Sequence, residues 1–288
     1  MSGLKVLRNR IKSIESTRKI TKAMQMVAAS KLNKAKCLAI YSQKFRNKIM
    51  ELVANTEDNI DAENISKIVK ALFIKEHNYE NNLVIVFSAD KGLCGPYNGN
   101  IYKKLKKDLA NYNNLKLILV GSKLEEQIEK IAKIEYTLKS SDESTEVVKQ
   151  LKSIILEEIE KNPKTRVTVY YTRFKNTLEQ TPVKKSLFPL EKDNDFTDKV
   201  NNINHNLEFE GENLIDRLVE LYIESNLTAK LLESRASEEA SRMKAMDNAT
   251  RNAQDLIDHL KLILNRTRQA QITSELIEVI SGAESLKD

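Results

Sequence analysis

The 288 residues carry a net charge of +6, with 41% hydrophobic and only 6% aromatic side chains and no tryptophan, a balance that fits long helices around one small globular part. Two cysteines, Cys37 and Cys94, cannot build a secreted-type disulfide framework and point to a reducing, intracellular site. The longest apolar runs, such as Leu83 to Phe87 and Leu117 to Val120, fall far short of the roughly 18 residues that span a bilayer, so any membrane attachment goes through partners.

Residues 1–50 hold thirteen Lys or Arg against a single acid, Glu15. An acid-poor amphipathic start has presequence character, but the helical pattern runs on past residue 50 and is read as part of the folded chain. The basic face is either solvated or steered toward acidic protein; no aromatic residues interleave the lysines, which argues against nucleic acid. From Leu4 to about Thr56 there is no glycine or proline, and Leu4, Leu7, Ile11 and Ile14 fall at alternating three- and four-residue steps, the spacing of a coiled-coil seam. The middle of this helix reads KAMQMVAASK, where small side chains admit a close neighbour and methionine adapts to shifting surroundings. Residues 57–82 are a linker with a short helix around Ile65 to Ile74.

At Leu83 the period changes. LVIVF is a buried strand, followed by the turn SADKGLCGPYNGN and a helix from Ile101 to Asn111. LKLILV is a second strand; Gly121 turns the chain, and an amphipathic helix is expected over Lys123 to Lys133. A strand at Ile134 to Leu138, a helix at Glu146 to Lys161 and a strand at Arg166 to Phe174 follow. Pro182 to Leu190 reads as an edge strand, where proline is tolerated at the margins. Strands alternating with helices imply a mainly parallel sheet covered on both faces. Residues 191–211 are polar and loop-like.

The stretch from Glu212 to Ser281 again lacks glycine and proline and predicts one continuous helix. Seventy residues would run about 105 Å, twice the ~50 Å span of a compact chain of this size, so the helix projects and needs a companion. The N-terminal helix supplies it. Setting the Met24 and Met26 region against Met243 and Met246 gives an antiparallel register that brings Leu7 to Ile14 opposite Leu256 to Ile263. Residues beyond about Arg268 then run on alone, although Ile272, Leu276, Ile277, Val279 and Ile280 lie there. Leaving that stripe in water forgoes about 1.5 to 3 kcal/mol per large side chain, which implies enclosure by another protein, the alternative being a frayed, weakly amphipathic tail. The fold class is therefore α+α/β: a long antiparallel two-helix coiled coil formed by residues 1–56 and 212–288, with a Rossmann-like α/β domain inserted at 83–190 between linkers at 57–82 and 191–211.

Chemistry is hard to find. Gly92-Leu93-Cys94-Gly95 sits where doubly wound folds bind phosphates, yet it fits neither G-x-G-x-x-G nor the P-loop, and Pro96 removes an amide donor. Cys94 has no Cys-His signature around it and reads as packing beneath the turn. His77, His205 and His259 lack ligand spacing. No carboxylate pair stands out for acid-base work.

The turn SADKGLCGPYNGN, the run KAMQMVAASK and above all the stretch from Glu239 to Leu286 resemble the gamma subunit of F-type ATP synthases, bacterial type. The resemblance covers the whole chain. It implies a rotor shaft, one copy per complex, without catalytic site or cofactor of its own, coupling rotation of a membrane c-ring to ATP synthesis in a ring of three alpha and three beta subunits. Its foot would meet the epsilon subunit and the c-ring, on the cytoplasmic face of the inner membrane. It further implies that Arg268, Gln269 and Thr273 contact the beta-subunit catch loops, that Arg242 and Met24 lie in the mid-shaft contact region, and that Ile272 and Leu276 face the ring's apolar collar. Two departures stand: Pro96 replaces a small residue, and Glu208 to Gly211 follows the family's motif only loosely. The alternative is a coiled-coil tether presenting the α/β domain to unrelated partners.

Overall fold

The structure, a computed structural model, describes residues 2–56, 66–73, 79–140, 143–190 and 214–284. In chain order its elements are α1 (Ser2–Thr56), α2 (Lys67–Phe73), β1 (Asn81–Phe87), α3 (Tyr97–Asp108), β2 (Leu115–Val120), α4 (Glu125–Ile128), β3 (Ile134–Leu138), α5 (Ser144–Lys161), β4 (Thr165–Phe174), β5 (Gln180–Phe188) and α6 (Leu214–Glu284). Contacts divide the chain within both long helices, into a smaller unit of residues 1–28 with 243–288 and a larger one of residues 29–242.

In the smaller unit α1 and α6 run antiparallel. Gln25 donates to Asp247 at 2.8 Å, Thr21 meets Thr250 at 2.9 Å, and Arg18 reaches Gln254. Farther along, Ile11, Ile257 and Leu260 form a buried cluster flanked by Leu7, Ile14, Ile263 and Leu264. The predicted register, with the Met24 and Met26 region against Met243 and Met246 and Leu7 to Ile14 opposite Leu256 to Ile263, lies one to two residues from the observed one, in which Gln25 stands opposite Asp247 and Met26 level with Met246. The polar middle of the seam sets this offset: hydrogen-bonding pairs at Thr21 and Gln25 fix the axial setting, where methionines would tolerate several.

The larger unit is built on a five-stranded sheet in the order β3-β2-β1-β4-β5, parallel except for the β4–β5 pair. Alternate residues of the apolar strands serve two cores, which is why these runs are continuous rather than alternating. Leu83, Ile85 and Phe87 face one core with α5, α2, the end of α1 and the start of α6; Val84 and Val86 face the other with α3 and α4. The helices therefore cover both faces, and the chain crosses from one side of β1 to the other after β3. That reversal leaves a crevice at the carboxyl ends of β1 and β4, bounded by the turn after β1.

Two expected elements differ. The helix predicted over Lys123 to Lys133 is a single short 3-10 turn at Ser122–Leu124 followed by α4, which ends at Ile128. The carbonyl of Ile128 accepts the amides of both Ile131 and Ala132, turning the chain so that β3 can begin at Ile134 beside Leu117. The edge strand starts at Gln180, two residues before Pro182, and Pro182 pairs with Thr172 inside it; an edge position leaves its missing N–H without a ladder role. Within the predicted linker, α2 buries Val69, Ala71 and Leu72. The predicted loop at 191–211 lies outside the described residues.

Candidate functional site

The residues singled out from sequence fall in two places. In the smaller unit, α6 continues past Leu264, its last contact with α1's apolar cluster, and from Asn265 to Gly282 every residue is exposed except the half-buried Gln271. Arg268, Gln269, Ile272, Thr273 and Leu276 all belong to this stretch. Steps of three and four place Gln269, Ile272, Thr273, Leu276 and Ile280 on one helical face. Ile272 and Leu276 are 55% and 56% exposed, and Val279 71%. Such a stripe, outside the apolar clusters formed among the described residues, is a contact surface or an unsupported cost. Thr273 ties its hydroxyl back to the Gln269 carbonyl at 3.0 Å, a bond available to any helical threonine that leaves the face unaltered. Met24 belongs to the same unit and is half-buried on α1, with Met26 and Val27 exposed beside it.

Arg242 belongs to the larger unit and is 8% exposed. Its guanidinium pairs with Glu238 at 2.6 Å and Glu239 at 2.8 Å, one turn back along α6, and donates to the backbone carbonyls of Lys91 at 3.3 Å and Gly92 at 3.5 Å. Burial works against its charge, and the two carboxylates outweigh that, leaving its pKa above the ordinary value. Burial holds the Glu238 carboxyl above the usual range despite the Arg242 charge beside it. Arg242, singled out as a contact residue, is thus largely occupied with the turn after β1.

That turn is shaped by backbone conformations that a regular strand or helix does not visit. Leu93 and Gly95 both adopt positive φ, at 61° and 57°. Pro96, the departure noted in the sequence, stands at the N-cap of α3, and its carbonyl accepts Asn100 N–H at 2.8 Å. Its missing N–H costs nothing there, since the first amides of a helix have no partner within it. Cys94 is buried in the core under α3, as packing predicts, and burial pushes its thiol up, away from a reactive thiolate. Asp90 accepts the amides of Ser122 and Ser140, joining the ends of β1, β2 and β3.

Sequence reasoning missed a row of α6 side chains engaged with these loops. Ser241 donates to the Cys94 carbonyl at 2.6 Å, Ser237 to the Thr172 carbonyl at 2.9 Å, and Ser234 meets the Tyr97 hydroxyl at 2.7 Å. Arg235 donates to Ser144 at 2.5 Å and to the Ser140 carbonyl; Glu233 accepts the Phe174 amide at 3.1 Å. The signal was present in ESRASEEASR, where small and charged residues recur so densely that no apolar face remains.

Comparison with known proteins decides the family. The family model described as ATP synthase matches residues 3–286. The ATP synthase gamma chain of Rickettsia bellii is 41% identical over 295 residues, covering 99% of this chain and 100% of that one. The chain belongs to the ATP synthase gamma-chain family. The gamma chain of Rickettsia prowazekii is 38% identical with the same coverage. Among solved structures, a chain of the Euglena gracilis mitochondrial ATP synthase (OSCP/F1/c-ring, rotational state 3) shares the fold at a TM-score of 0.67 and 18% identity, covering 99% of this chain and 95% of that one. A chain of the Tetrahymena thermophila mitochondrial ATP synthase central stalk and c-ring gives 0.59 at 25% identity, covering 80% and 99%.

Proposed function

We propose that this chain is the central shaft of the F1 sector of a bacterial ATP synthase, coupling rotation of the membrane c-ring to ATP synthesis, or the reverse, at an alpha3beta3 ring. The observation that carries the reading is the end of α6, a helix with an apolar stripe whose residues 265–282 are exposed except for the half-buried Gln271. A ring of larger subunits closing around it buries the stripe, with Ile272 and Leu276 in an apolar collar and Arg268, Gln269 and Thr273 against the beta subunits. Residues 1–56 and 212–288 act as the antiparallel coiled coil, and residues 83–190 as a Rossmann-like body between linkers at 57–82 and 191–211. Met24 and Arg242 belong to the mid-shaft contact region, and the body meets the epsilon subunit and the c-ring.

The mechanism is physical rather than chemical. One asymmetric helix pair inside three equal catalytic sites presents a different face to each, so each site feels a different conformational bias, and rotation permutes the biases. The chain supplies no reacting group and no cofactor. None of the described helices is long and apolar enough to cross a membrane, and the chain is peripheral, held on the cytoplasmic face through its partners.

Purification of the tagged chain from its native host tests this. Stoichiometric recovery of three alpha and three beta subunits per copy, with no ATP hydrolysis by the chain alone, is expected. Recovery without nucleotide-binding subunits, as a tether to unrelated partners would give, would overturn it.

A further inference from the structure

The crevice at the carboxyl ends of β1 and β4 is where a doubly wound sheet ordinarily receives a ligand, and here it is filled from within. Bonds to α6 come from three loops at that edge: the turn after β1 and the start of α3, through Lys91, Gly92, Cys94 and Tyr97; the β3–α5 connection, through Ser140 and Ser144; and the end of β4, through Thr172 and Phe174. All reach the stretch Glu233 to Arg242. Ala236 and Ala240, fully buried between the polar residues, let the helix lie close.

We propose that this crevice is an intramolecular binding site whose ligand is the α6 segment 233–242, and that it locks the helix against rotation about its own axis within the larger unit. At about 100° per residue, the engaged side chains from Glu233 through Ser237, Ser241, Ser234 and Arg242 to Arg235 span about 200° of the helix circumference. A helix held on one side can roll; one gripped over more than half its girth by groups with fixed hydrogen-bond directions cannot. Five acceptors in the site are backbone carbonyls, those of Lys91, Gly92, Cys94, Ser140 and Thr172, and one donor is the Phe174 amide, so the grip is set by the backbone of the loops and of the end of β4. The carbonyls that turn toward α6 are those of the Gly-rich segment, so the turn recognises a helix carrying serine and arginine donors and not a phosphate, which needs amides. The mechanical consequence, that torque passes from the α/β body to the shaft through this clasp, rests on the shaft reading above.

Hydrogen exchange tests the site and a coupling assay tests the consequence. In Arg235→Gln/Ser237→Ala/Ser241→Ala, amides of residues 89–100 should exchange about tenfold faster or more, given a net contribution of roughly one hydrogen bond's worth per lost donor, while those of β2 stay protected. Unchanged exchange in the turn would overturn the site. Should the triple variant lose protection in β2 as well, the single Ser241→Ala decides: faster exchange confined to the turn supports the site, and no change overturns it. In the assembled complex, ion pumping per ATP hydrolysed should fall at least threefold while hydrolysis persists; an unchanged ratio alongside a loosened turn would overturn the mechanical role. Exchange in the isolated wild-type and variant chains decides the clasp even if the chain recovers no alpha and beta subunits, so the two readings fail separately.

Discussion

The hydroxyls of Thr21 and Thr250 lie 2.9 Å apart, one on each helix of the smaller unit, and Gln25 meets Asp247 one turn along. Polar pairs of this kind fix an axial register that apolar packing alone leaves loose. A Thr21→Cys/Thr250→Cys chain should therefore close a disulfide under mild oxidation, whereas Met24→Cys/Met243→Cys, about one helical turn out of register, should close at least about tenfold more slowly. Non-reducing electrophoresis of single-chain protein reads both, and equal rates would discard this register.

The antiparallel pairing was legible because the apolar steps of Leu7, Ile11 and Ile14 and of Leu256, Leu260 and Ile263 admit few alignments, although the structure buries Ile257 in place of the expected Leu256, which is exposed; the strands were legible because LVIVF and LKLILV are too short and too apolar for anything but a sheet interior. The short α4 was not, since nothing local distinguishes Glu129 to Lys133 from a continuing helix; the start of β3 opposite Leu117 stops it. The clasp was less legible still. Its acceptors at Lys91, Gly92, Cys94, Ser140 and Thr172 are backbone carbonyls, which carry no side-chain signature, so the sequence offered Arg242 only as a mid-shaft contact residue and gave no sign of its bonds to the turn. The exposed end of α6, by contrast, followed from counting residues beyond the last possible partner.

Gly121 sits between β2 and α4 at a φ of 104°, and a Cβ built there would stand 2.3 Å from the Ser88 carbonyl oxygen. Both the backbone conformation and the contact exclude a side chain, and the obstructing atom is backbone of the neighbouring strand end, so relief requires moving β1 away from β2. Gly121→Ala should destabilise the chain by about 2 kcal/mol or more, read as a lower urea midpoint with an unchanged slope. Gly99, whose Cβ would meet nothing within 4 Å, provides the control: Gly99→Ala in α3 should hold or raise the midpoint.

Glu233 accepts the Phe174 amide inside the larger unit, and burial raises its pKa above the ordinary 4.5 while that hydrogen bond and nearby Arg173 and Arg46 pull the other way. A carboxyl whose folded pKa exceeds its unfolded value favours folding fully below the unfolded pKa, and that contribution is lost as pH rises through the folded pKa. Glu233→Gln keeps the shape without the titration. The stability of the variant relative to wild type should therefore increase between about pH 4.5 and neutrality, measured as urea midpoints at several pH values. A flat difference would mean that the carboxyl is as well solvated in the fold as outside it.

Ile272 and Leu276 stand half-exposed on the last stretch of α6 and belong to none of the apolar clusters formed among the described residues. Substituting both with aspartate should leave the thermal midpoint of the isolated chain within about 2 °C, as for surface changes generally. On the proposed shaft reading the same two side chains enter an apolar collar in the complex, where each buried residue of this size contributes about 1.5 to 3 kcal/mol, so assembly with alpha and beta subunits on a native gel should fall at least about tenfold. The two measurements have to diverge. A destabilised isolated chain would mean the tip folds against its own molecule, and undiminished assembly would mean that no partner encloses it.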